Sequence, residues 1–69
     1  MTRLDLLGKN IKNYREKKGL TQNQLAELVE LSREHLGSVE TGNDFLSLRK
    51  LFEIADVLET PVKYFVDFD

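Results

Sequence analysis

The stretch TQNQLAELVELSREHLGSVETG, residues 21–42, limits the fold more than any other part of the chain. Its apolar residues come at uneven intervals, and two cap signals divide it. Thr21 followed by Gln24 has the composition of a capping box, in which each side chain satisfies the other residue's backbone N–H. Leu25, Ala26, Leu28 and Val29 then supply barely two turns of apolar surface. Ser32, a second N-cap residue, precedes Arg33 and the short stripe Leu36 and Val39. The stretch therefore reads as two short helices joined by a tight turn, with Gly42 closing the second.

The flanks repeat this pattern. Leu4, Leu7, Ile11 and Tyr14 recur at helical spacing and predict a first helix, with Lys17 and Lys18 in its last turn and Gly19 as a left-handed cap. GNDFLS, residues 42–47, is rich in turn residues. Ser47 is expected to cap a fourth helix with the face Leu48, Leu51, Phe52, Ala55 and Leu58. Thr60 followed by Pro61 reads as an N-cap with proline in the first helical position of a fifth, whose Val62, Phe65 and Val66 would pack inward. No segment alternates with a period of two, and no repeat or linker-like stretch divides the chain, so residues 1–69 are expected to form one all-α domain of five short helices.

Composition excludes several classes of function. A chain of 69 residues supports one modest core and no cleft between domains. No segment approaches the roughly 20 apolar residues that span a bilayer. Thr2, Arg3 and Leu4 open a mixed sequence rather than an apolar signal region, so a cytoplasmic protein without membrane contact is expected. Cysteine is absent, which removes disulfides, thiolate metal sites and cysteine nucleophiles. His35 is the single histidine and has no second ligand of its kind, so it reads as a partly exposed helix residue able to touch a phosphate rather than a metal ligand. Asp56, Glu59, Asp67 and Asp69 read more simply as a solvated acidic face than as a cation site. Neither a metal nor a cofactor is expected, and no paired nucleophile and base points to an enzyme.

Charge is unevenly divided. Residues 1–43 carry seven Lys/Arg against six Asp/Glu, and residues 44–69 carry three against six. Lys9, Lys12, Arg15, Lys17 and Lys18 crowd into the front half, where they form either a local phosphate-binding surface or a solvated helix face.

The pattern Gln22, Leu25, Ala26, Val29, Leu31, Leu36, Val39, Glu40 and Gly42 resembles the helix-turn-helix of Cro/CI-type, or xenobiotic-response-element, DNA-binding regulators. IKNYREKKGLTQ before it resembles the family's first helix and Thr-Gln start of the second, and LRKLFEIADVLETPVKYF resembles its closing helices. The likeness implies a five-helix lambda-repressor-like domain whose second and third helices form the motif. The chain departs from the pattern at Glu30, where glycine is usual in the tight turn and a positive φ would cost about 1 kcal/mol. It departs again at Leu46, where proline is common, and at Asn43 and Asp44, where the loop is usually basic.

The resemblance implies a double-stranded DNA operator as partner, with the third helix in the major groove. Arg33, Glu34, Gly37 and Ser38 are then the candidates for base readout. Arg33 would donate to guanine O6 and N7, and Glu34 would accept from a cytosine amino group. Gly37 either allows close backbone approach or is simply tolerated in the helix. Thr21, Gln22 and Asn23 at the start of the second helix are candidate phosphate contacts, with His35, Thr41, Asn43, Lys17 and Lys18 beside them. Arg15 and Glu40 match a family ion pair and are assigned to architecture. A homodimer on a two-fold symmetric site is expected, through Tyr64 and Phe68 unless these cap the chain's own core. The function implied is a small, autoregulating repressor. The alternative is a protein-interaction module, antitoxin-like or a co-regulator, that keeps the fold and binds DNA weakly or not at all.

Overall fold

The computed structural model describes residues 2–68. Five helices follow in order: α1 (Arg3–Lys17), α2 (Gln22–Leu28), α3 (Arg33–Glu40), α4 (Leu48–Leu58) and α5 (Lys63–Val66). The described residues contain no strand.

Local sequence sets nearly every boundary. Thr2 with Asp5, and Thr21 with Gln24, form complete capping boxes, while the hydroxyls of Ser32 and Ser47 accept the N–H groups of His35 and Lys50. The C-termini of α1 to α4 share one device. A residue in the left-handed region follows the helix, and the next N–H reaches back to a carbonyl of the last turn: Leu20 to Arg15, Leu31 to Ala26, Asn43 to Ser38 and Thr60 to Ala55. Glycine occupies the left-handed position at Gly19 and Gly42, but Glu30 (φ 57°) and Glu59 (φ 53°) occupy it in the other two. The departure at Glu30 thus keeps the turn geometry and carries its strain.

The core consists of Ile11, Leu25, Ala26, Val29, Leu36, Val39, Leu51, Ile54, Ala55, Leu58 and Phe65. It lies between α1, which packs on α3 and α5, and α2, which packs on α3 and α4. The approach of α1 to the end of α3 requires Gly8, because a Cβ there would lie 2.7 Å from the Glu40 carbonyl oxygen. Tyr14 meets Phe65 edge to face at 5.3 Å, and the Asn10 amide donates to the Phe65 carbonyl at 3.0 Å, which docks α5 on α1.

Several inward assignments are corrected. Leu4, Leu28, Leu48, Phe52 and Val66 are all exposed. In α4 the buried stripe is Leu51, Ile54, Ala55 and Leu58, and Leu48 and Phe52 stand to one side of it because each residue turns the helix by about 100°. Thr60 does not cap α5. Its N–H closes α4 and its hydroxyl donates to the Leu58 carbonyl at 3.0 Å, so the backbone there still belongs to the end of α4. Pro61 and Val62 form a tight turn, and α5 begins after them with no side-chain cap.

Candidate nucleic-acid interface

The angle between α2 and α3 is set from inside. Ala26, Leu36 and Val39 are essentially inaccessible to solvent, and the small Ala26 lets the two helices approach closely. With Leu36 and Val39 turned inward, Arg33 and Glu34 at the start of α3 are exposed, and Gly37 and Ser38 are half-buried one turn later on the same side. Neither Arg33 nor Glu34 has a hydrogen-bond or ion-pair partner among the described residues. The first turn of α3 therefore presents a guanidinium and a carboxylate to solvent from a rigid support.

Behind this face lies a buried ionic network. Arg15 Nε donates to Glu40 Oε2 at 2.7 Å and Arg15 Nη2 to Glu40 Oε1 at 3.0 Å, while Nη1 donates to the Leu20 carbonyl at 2.8 Å. The hydrogen bonds that Arg15 donates to Glu40 raise its pKa against the opposing effect of burial. The network extends to α2, where Gln22 Nε2 donates to Glu40 Oε1 at 3.0 Å. The Gln22 amide lies against Gly37, and a Cβ on that glycine would be 3.5 Å from Gln22 Oε1, an ordinary contact. The family resemblance implies the pairing of Arg15 with Glu40, but the sequence carries no signal for Gln22 as their third member.

Most of the remaining candidates have partners within the protein. Thr21 is occupied by its capping box, which leaves the first two amide groups of α2, those of Gln22 and Asn23, without an intrahelical acceptor. His35 Nε2 lies 3.2 Å from the Phe45 carbonyl and 3.5 Å from Asp44 Oδ2, so it ties α3 to the following loop. The Thr41 hydroxyl donates to the carbonyls of Gly37 and Ser38, each at 3.1 Å, and accepts from Asn43 Nδ2 at 3.2 Å. Lys17 Nζ stands over the Tyr14 ring at 5.1 Å, and Lys18 pairs with Glu59, whose pKa it lowers. With Arg15 buried as well, three of the five clustered cations have internal partners, and the cluster is not one free phosphate-binding surface.

On α5 Tyr64 stacks on Tyr14 with ring centroids 6.4 Å apart and stays about half exposed, while Phe68 is half-buried. The sequence gives no sign of a second exposed apolar group: Phe45, Leu48 and Phe52 are 69%, 63% and 49% exposed. Of the acidic residues singled out, Glu59 is held by Lys18, and Asp69 lies outside the described residues.

The helix-turn-helix family HTH_3 matches residues 11–65, from the middle of α1 into α5. The chain belongs to the Cro/CI-type helix-turn-helix family. Among relatives in this family, the control protein C.SmaI of Serratia marcescens is 38% identical over 58 residues, which make up 84% of this chain and 69% of that protein. The restriction-modification controller protein C.AhdI from Aeromonas hydrophila superposes with a TM-score of 0.85 at 32% identity, covering 90% of this chain and 94% of its own. SinR, a master regulator for biofilm formation solved in complex with DNA, superposes with a TM-score of 0.83 at 31% identity over 88% of this chain and 98% of its own. The chain spans about half the length, 49% and 47%, of two further helix-turn-helix regulators of this family, from Rickettsia conorii and Rickettsia prowazekii. No helix of the described residues is long and apolar enough to cross a membrane.

Proposed function

We propose that the domain is a sequence-specific reader of double-stranded DNA that acts in the cytoplasm as a small transcriptional regulator. The observation that carries this reading is the unpartnered start of α3, where Arg33 and Glu34 project from a helix fixed by Leu36 and Val39. Laid in a major groove, Arg33 reads a guanine and Glu34 a cytosine amino group, each good pair contributing about 1–3 kcal/mol of discrimination. Gly37 and Ser38 follow one turn along. The free backbone N–H groups of Gln22 and Asn23 meet the DNA phosphates. His35, Thr41, Asn43, Lys17 and Lys18 serve as positioning groups, since a phosphate would have to compete with the partners they already have.

A reader with so few free cations binds best as a two-fold dimer. Beside the C-terminal Tyr64 and Phe68, the surface of Phe45, Leu48 and Phe52 suits a second copy of the chain. Arg49 and Asp56 flank Phe52 on α4, so two antiparallel copies of that helix would match opposite charges across the axis. Replacement of Phe52 by Glu is expected to give monomers in sedimentation velocity, and Tyr64→Glu distinguishes the C-terminal alternative. Regulation by operator occlusion, including that of its own promoter, agrees with the description of the relatives C.SmaI and C.AhdI as control proteins.

The test is selection from random-sequence duplexes, followed by titration against salt with an Arg33→Ala variant. Enrichment of a symmetric site, log affinity falling linearly with log salt, and relaxed preference in the variant are expected. A folded protein that enriches nothing at low salt overturns the proposal. The acidic pI of 5.3 and Asp44 in the loop beside α3 favour the second reading, a protein-interaction module, which that result would select.

A further inference from the structure

A single hydrogen bond fastens α4 to the helix-turn-helix. Lys50 Nζ, on the first turn of α4, donates to the Val29 carbonyl at the end of α2, and among the described residues no other hydrogen bond joins α4 to α2 or α3. That carbonyl accepts no backbone N–H, so the ammonium meets an otherwise unused acceptor at the negative end of the α2 dipole. Glu53 Oε1 lies 3.0 Å from Nζ and steadies it from within α4. The peptide group held in this way is the one that enters Glu30, the left-handed residue (φ 57°) of the turn between α2 and α3. Lys50 is half-buried, and it ties α4 to the strained point of the motif.

The same helix packs on α2 and carries the exposed Leu48 and Phe52. In a two-fold dimer built on that face, the distance and angle between the two recognition helices depend on how α4 sits on α2 in each protomer. Apolar contacts between the two helices are non-directional and permit small slides, whereas a hydrogen bond fixes both distance and direction. We infer that Lys50 is a positioning residue that sets the spacing and rotation of the half-sites the dimer accepts. Arg33 and Glu34 read the bases within each half-site, and Lys50 determines where the second half-site must lie. This inference rests on the DNA-reading function and the α4 dimer face proposed above.

The experiment uses the full chain and the symmetric duplex it selects, remade with one base pair inserted or deleted at its centre. Each change moves the half-sites by about 3.4 Å and turns them by about 35°. To follow, α4 must shift on α2 and break the bond from Lys50, and a hydrogen bond to a charged group is worth on the order of 10-fold. The wild type should therefore bind the altered duplexes at least about 10-fold more weakly than the selected one. Lys50→Met keeps the apolar stem and removes the donor. It should narrow the difference to about 3-fold or less, with base preference within each half-site unchanged. Lys50→Gln, one atom shorter and uncharged, is the second variant and should behave alike. Asn10→Ala removes a bond on the other side of the molecule, between α1 and the Phe65 carbonyl, and should keep the wild-type spacing preference. The inference is overturned if the Lys50 variants keep the full penalty for altered spacing, or if Asn10→Ala relaxes it as much as they do. A wild type that binds every spacing alike overturns the two-fold reading as well, and the two failures are distinguishable.

Discussion

Replacing Arg15 by Met tests how much of the fold depends on the ionic network between α1 and α3. Arg15 is 6% and Glu40 5% exposed, and Glu40 accepts three hydrogen bonds, two from Arg15 and one from Gln22. The variant keeps an apolar stem of similar length but leaves a buried carboxylate with Gln22 alone, and the Leu20 carbonyl loses its donor. Breaking one side of a buried pair costs about 3–5 kcal/mol. At 0.05–0.15 kcal/mol per residue a domain of this size has roughly 3–10 kcal/mol in total, so the loss approaches the whole stability. Arg15→Met should therefore lower the melting temperature by on the order of 20 °C. The double variant Arg15→Met with Glu40→Leu removes both charges and should recover to within about 2 kcal/mol of the wild type, because desolvating the pair had offset most of its attraction. Urea denaturation of the two single variants and the double variant closes the cycle. A loss below about 1 kcal/mol in Arg15→Met, or a double variant no better than the singles, would refute the argument.

Three further outcomes are expected. Glu30→Gly relieves a left-handed φ of 57° and should raise the urea midpoint by the equivalent of about 1 kcal/mol, with the slope unchanged. Gly37→Ala adds a Cβ that meets Gln22 at ordinary contact distance and removes a poor helix former, so thermal unfolding should shift up by about 4–8 °C, while the added methyl on the exposed side of α3 lowers affinity for the selected duplex. Hydrogen bonds from the Thr2 backbone and hydroxyl hold the Asp5 pKa below its ordinary 3.8, and Lys18 holds that of Glu59 below 4.5. Carboxylates with depressed pKa values add stability that is fully present above their unfolded values and lost as pH falls through the folded ones. Denaturation measured from about pH 6 to 3 should show that loss below about pH 4.5, and Asp5→Asn should flatten its lower part.

The helix count and three of the five starts, those of α2, α3 and α4, are legible because they rest on short-range chemistry. Thr21 with Gln24, Ser32 and Ser47 each act on backbone within their own first turn, and the sequence contains both partners. Legibility fails where one residue serves two elements. Thr60 has the composition of a cap for α5, yet its backbone and hydroxyl complete the end of α4. Glu59 takes a left-handed conformation that no local signal announces, because the closing bond from Thr60 to Ala55 holds it there. Phe52 and Leu48 fit a helical stripe as well as Ile54 does, and only the direction from which α2 approaches α4 decides that Ile54 is inside.

The candidate site divides along the same line. Arg33 and Glu34 can be read from the sequence since exposure at a helix start follows from the inward turn of Leu36 and Val39 on the same helix. Lys17 and Lys18 look like phosphate ligands until their partners Tyr14 and Glu59 are known, and the latter lies in a distant part of the chain. Gln22 depends on three helices at once. Its position at the start of α2 makes it a candidate phosphate contact, but Arg15 on α1 fixes Glu40 on α3, and Glu40 takes one of the two N–H groups of its side-chain amide. The second N–H and the amide oxygen remain without a partner among the described residues. What a side chain can offer to DNA is thus set by which of its atoms the fold has already used.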